Sequence, residues 1–155
     1  MKNNCRGAII LGMHDAIVSL TGLIAGLFFA FTDSNIIIIT CIISSITAAL
    51  SMGAANYLAT KTQNRETALK SAFYTGGAYI ITCILLILPF FVLKDRVATL
   101  ISVVCMAIFI IFAFNRCCYR GTVFYKHFFE MLAICTIVSI TAFFIGEIAS
   151  KIFGI

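Results

Sequence analysis

Five unbroken apolar runs, at about residues 7–31, 35–60, 71–93, 97–114 and 127–153, take up nearly all of the 155-residue chain. Each meets or approaches the roughly 20 residues that an α-helix needs to cross the hydrocarbon of a bilayer. The runs lack the apolar-polar alternation of membrane-barrel strands, which sets that architecture aside. Charged residues make up 11% of the chain, less than half of the roughly 25% a soluble domain carries. A water-facing surface cannot be assembled from so few. The expected fold is all-α: one polytopic membrane domain over residues 1–155, with five transmembrane helices and almost nothing outside them.

The charges orient it. If the N-terminus is cytoplasmic, Lys2, Arg6, Lys61, Arg65, Lys70, Arg116, Arg120 and Lys126 share the cytoplasmic side, and only Lys94, Arg96 and Lys151 lie opposite. Such a bias over short loops is the positive-inside pattern, so the C-terminus is expected outside. The net charge of +5 is therefore a topology signal first and an anionic-lipid patch second. Dispersed among loops, it does not suit nucleic acid. The seven cysteines do not form a disulfide framework: Cys41, Cys83, Cys105 and Cys135 lie within spans, where thiols act as small apolar groups. Cys5, Cys117 and Cys118 fall at ends expected in a reducing compartment, and the adjacent Cys117 and Cys118 lack a second pair to complete a soft-metal site. The opening resembles a signal peptide, but its apolar run is too long, so an uncleaved first span is expected.

Within span one, His14 and Asp15 interrupt the hydrocarbon. A carboxylate at that depth costs roughly 2.5–3.5 kcal/mol on insertion scales and marks a functional site by default. Gly12, Asp15, Ala16, Ser19, Gly22, Gly26 and Ala30 recur at steps of three and four, a single stripe along a helix. Gly22 and Gly26 form a GxxxG that permits close backbone approach. Span two, joined by the short turn at residues 32–35, carries its own small-residue stripe of Ser45, Ala48, Met52, Ala55 and Ala59. Asp15 lies eight residues into its span and Met52 eight from the end of its own, so each is roughly 12 Å from the same boundary. An acid and a thioether are expected at similar depth on facing stripes.

The remaining polar groups carry two readings each. Met52 alone is as well a core filler; His14 points about 100° away from Asp15 on a helix and is interfacial or a proton relay. Asn56, one turn nearer the cytoplasm than Met52, offers an amide oxygen at an entrance or an interhelical hydrogen bond. Glu130 and Glu147 sit at the ends of span five, where solvated or lysine-paired carboxylates are ordinary. Glu66 and Lys70 in the short polar link of residues 61–70 suit a helix-surface pair, and Pro89 suits a kink or stop near the outer end of span three. No Gly-x-Ser-x-Gly, His-Glu-x-x-His or phosphate-loop pattern is present, so an enzyme is not expected.

At these residues the chain resembles the vacuolar iron transporter family. Gly12-Met13-His14-Asp15 is similar to the family's acid signature opening the first span. Ser51-Met52-Gly53-Ala54-Ala55-Asn56-Tyr57-Leu58-Ala59 is similar to the motif closing the second, Leu86 to Phe91 to the proline-containing end of the third, and Phe128-Phe129-Glu130 with Ile145-Gly146 to the fifth. The resemblance implies a homodimer, paired through its first spans, that moves Fe²⁺ or Mn²⁺ out of the cytosol against protons. It implies Asp15 and Met52 as the metal ligands of the transport site, with Glu130 secondary, and no permanently bound cofactor; His14 and Asn56 are secondary candidates from their own chemistry and position. The chain departs from the family in three places: the glutamate-rich cytoplasmic insert is reduced to residues 61–70, Ala16 replaces a glycine after the aspartate, and Asn56 replaces a glutamate.

A carboxylate with a thioether mixes hard and soft donors, favouring Fe²⁺-like or Mn²⁺-like ions over Ca²⁺ or Mg²⁺. A carboxylate also binds a cation when ionised and carries a proton when neutral. The expected activity is proton-coupled export of a divalent metal, in a bacterial-type plasma membrane rather than a vacuolar one. The alternative is a degenerate, non-transporting member that serves as a membrane partner or assembly subunit.

Overall fold

A computed structural model describes residues 2–63, 65–93, 95–118 and 122–153, with the side chains of residues 2–5, 96, 117, 118, 122, 123 and 153 left aside. It is a bundle of five α-helices: α1 (Lys2–Ala30), α2 (Ser34–Gln63), α3 (Arg65–Val92), α4 (Arg96–Cys118) and α5 (Thr122–Phe153). All five contain stretches long and apolar enough to cross a membrane, and the chain is an integral membrane protein. Its surface supports this: Ile43 (61%), Leu50 (70%) and Phe91 (69%) lie exposed on the outside, tolerable only where the solvent is lipid. The expected Cys117–Cys118 pair lies outside the described side chains, as does the Lys94 and Arg96 part of the turn before α4.

The helices run further than the apolar runs. α2 continues to Gln63 and α3 starts at Arg65, so most of the expected polar link is helix. At 1.5 Å per residue, the 30 residues of α2 extend about 45 Å against a hydrocarbon thickness of about 30 Å. Hydropathy marks the hydrocarbon, whereas backbone hydrogen bonding continues into the headgroup region. Likewise α5 begins at Thr122, inside a stretch that reads as interfacial. Pro89 lies within α3; the helix proceeds one turn past it, and the Leu93 amide donates to the Pro89 carbonyl at 2.9 Å. Two acids cap helix starts: Asp33 Oδ1 accepts from the Asn35 amide at 2.8 Å, and Asp95 Oδ2 accepts from the Ala98 amide at 2.9 Å. Such caps satisfy amides that the first turn leaves unpaired.

Helix α1 is the hub. It packs chiefly against α3 and α5, while α2 packs chiefly on α3 and only lightly on α1. The turn at Phe31–Asp33 makes α1 and α2 successive crossings, but the intimate partner of α2 is α3. The core they share includes Ala16, Ile17, Ile24, Ile37, Cys41 and Leu86, all nearly inaccessible. At the far end of the bundle, Phe124 stacks on Phe128 and meets Phe112 edge-on, joining α4 to α5.

Candidate functional site

The small-residue stripe of α1 serves two neighbours within its own chain. A Cβ on Gly12 would run into the Thr75 carbonyl oxygen of α3. Further along, a Cβ on Gly22 would lie 2.8 Å from Val138 Cγ1 and one on Gly26 3.1 Å from the Ala142 carbonyl oxygen, both on α5. Gly146 faces back against the Gly26 backbone. The GxxxG is thus filled by α5 and is not left free for a second copy.

Between these two contacts Asp15 is exposed on the protomer, with Leu11 and Ser19 on the same side. Ser19 Oγ shares a hydrogen bond of 2.7 Å with the hydroxyl of the buried Tyr79 on α3. Membership of the small-residue stripe therefore does not bury Asp15 within one chain. His14, its neighbour, turns toward α4, where its ring meets Phe114 edge-on with centroids 5.7 Å apart.

Met52 on α2 is half-buried against the shared core. Its level can be read through α3. Gly12 abuts Thr75, and a Cβ on Gly76 would lie 3.2 Å from the Ala49 carbonyl oxygen, so Gly12, Thr75 and Ala49 share a rung. Asp15 lies three residues beyond Gly12, and Met52 three beyond Ala49 in the opposite direction. Each is about 4.5 Å from the rung but on opposite sides, so the two backbones stand about 9 Å apart in height and do not share the single depth expected from the span ends. Helical side chains lean toward their own N-terminus; since α1 and α2 are antiparallel, that lean brings carboxylate and thioether toward each other.

Asn56 is committed to packing. Its Nδ2 donates to Ser71 Oγ at 2.9 Å, to the Ser71 carbonyl at 3.2 Å and to Thr75 Oγ1, while its Oδ1 accepts from Thr60 Oγ1 at 3.3 Å. Of its two readings, the interhelical one matches these bonds. Glu130 is exposed and faces His127 Nδ1 at 3.4 Å. Glu147 pairs with Lys151 Nζ at 2.8 Å, the ordinary lysine-paired arrangement. Among the described residues, no three His, Cys, Asp or Glu side chains gather into a metal-binding group.

Two features escape a reading by span. Ser71, Thr75, Tyr79 and Thr82 are buried along one face of α3, and they receive Asn56 and Ser19. Their steps of four, four and three inside an apolar run were the available signal, since polar groups in hydrocarbon need partners. Asn115 on α4 is fully buried, and among the described residues neither its Nδ2 nor its Oδ1 has a hydrogen-bond partner. No local sequence pattern marks it.

No curated protein matches the chain. The family model described as VIT family matches residues 6–68, about two-fifths of the chain. That stretch holds α1 from Arg6 onward, all of α2 and the first residues of α3, and so both Asp15 and Met52. Membrane transport of metal ions is the general activity this match supports. The match shows residues 6–68 to be similar to the VIT family and supports the vacuolar iron transporter assignment.

Proposed function

We propose that the chain exports Fe²⁺ or Mn²⁺ from the cytosol in exchange for protons, as a homodimer in which the Asp15 faces of two copies meet. The observation that carries this reading is the placement of Asp15: within the family-matching segment, inside a helix long and apolar enough to span a membrane and still exposed on the single chain. A carboxylate turned toward acyl chains costs several kcal/mol, and a second copy relieves that cost. A two-fold axis then supplies two Asp15 carboxylates and two Met52 thioethers, four donors from two positions. Their mixed hardness suits Fe²⁺ or Mn²⁺ over Ca²⁺ or Mg²⁺. After the metal leaves, each Asp15 returns protonated, which couples the two fluxes. The Lys61–Arg65 end of the bundle is cytoplasmic in this reading, and a bacterial-type plasma membrane houses it.

The test is flux into proteoliposomes carrying a lumenal metal dye and a pH probe. Wild type is expected to accumulate Fe²⁺ or Mn²⁺ while its lumen loses protons. Asp15→Asn is expected to abolish both signals; equal flux in the two proteins would sink the proposal. One observation favours a second reading, a non-transporting subunit: the Asn56 amide is spent on α3. That reading expects no flux from wild type and a stable membrane partner that copurifies with it.

A further inference from the structure

The face of the α2–α3 pair that meets lipid holds a feature unrelated to Asp15. Between the two helices runs an apolar groove of about 480 Å³, lined by Ala49, Gly53, Ala72, Gly76 and Gly77, with Tyr57 in its wall toward Lys61. Its width comes from missing side chains: a Cβ on Gly77 would meet nothing within 4 Å. The α3 wall runs from Leu69 to Ile80, eleven steps or about 16 Å. Half of a hydrocarbon layer about 30 Å thick is about 15 Å. The groove is one leaflet deep.

Its shallow end is cationic. On α2 the line Ala49, Gly53, Tyr57 steps by four to Lys61, and on α3 Leu69 steps back by four to Arg65, so both cations extend the groove walls. Lys61 Nζ stands 5.4 Å from the centroid of the Tyr57 ring, which fixes one charge at the mouth. Lys61, Arg65 and Lys70 are all exposed there, against Glu66 as the single carboxylate of residues 61–70. An apolar slot as long as one acyl chain, open sideways to lipid and headed by cations at headgroup level, matches a single chemistry. We propose that this groove binds an anionic phospholipid, with an acyl chain along Gly53 and Gly77 and its phosphate held by Lys61 and Arg65.

Native mass spectrometry of the full chain in mild detergent tests this, with phosphatidylglycerol and phosphatidylcholine of identical acyl chains as probes. Wild type is expected to retain phosphatidylglycerol preferentially. Lys61→Gln with Arg65→Gln, both exposed and outside the core, should weaken phosphatidylglycerol roughly tenfold or more and spare phosphatidylcholine. Gly77→Leu, which fills the slot, should weaken both lipids, with helicity by circular dichroism confirming the fold. Equal retention of the two lipids by wild type overturns the proposal. So does unchanged phosphatidylglycerol affinity in the charge variant, a readout that does not depend on how Gly77→Leu folds. Loss of oligomer in Gly77→Leu with lipid adducts unchanged would assign the groove to a second copy and overturn it as well.

Discussion

Asn56 ties α2 to α3 with donated hydrogens: both Ser71 Oγ and Thr75 Oγ1 accept from its Nδ2. An ionised glutamate offers acceptors alone. Asn56→Glu therefore loses the bond to the Ser71 carbonyl outright, keeps the others only if the Ser71 and Thr75 hydroxyls turn to donate, and sets a charge beside a buried face of α3. Interhelical hydrogen bonds in membranes average about 0.6 kcal/mol and reach about 1.7 kcal/mol, so the loss should exceed that of Asn56→Ala. Thermal unfolding in detergent is expected to rank wild type above Asn56→Ala and Asn56→Ala above Asn56→Glu. An Asn56→Glu protein as stable as wild type would contradict the tie. The choice between entrance ligand and tie was open in the sequence because the acceptors, Ser71 and Thr75, lie on another span.

At the scale of the helices, the hydrocarbon thickness made all five elements legible, because each needs an apolar run of about 20 residues. Their ends were not, since Gln63 and Arg65 are polar yet helical. The GxxxG announced close packing but not its partner; periodicity names a face, and only the fold names α5 as what covers it. Counting from span ends put Asp15 and Met52 at one depth, whereas the register through Thr75 sets them three residues to either side of a common rung, about 9 Å apart in height, because helix ends do not coincide with the ends of apolar runs. Glycine contacts yield a paired prediction. Gly12→Ala drives a methyl into the Thr75 carbonyl, and overpacking of this kind costs about 1–3 kcal/mol. Gly77→Ala enters open space and should be close to neutral. Melting temperatures in detergent check both, and a tolerated Gly12→Ala would refute the α1–α3 contact.

For the whole molecule, the proposed site needs a second protomer. Asp15 is exposed on the single chain, Met52 packs partly against the core on a helix that touches α1 only lightly, and no cluster of three acidic, His or Cys ligands forms among the described residues. The acid in span one singled out Asp15 as the candidate to examine, while its exposure was not legible, because a stripe of small residues does not say which of its members a neighbour covers. Completion by a two-fold partner makes a stoichiometric demand. The direct measurement is Mn²⁺ binding to the detergent-purified oligomer, followed by the loss of the free-ion electron paramagnetic resonance signal. We predict one Mn²⁺ per two chains, with binding lost in Asp15→Asn while the oligomer persists. Binding that survives Asp15→Asn, or saturates at one ion per chain, would contradict a site shared between two Asp15 faces.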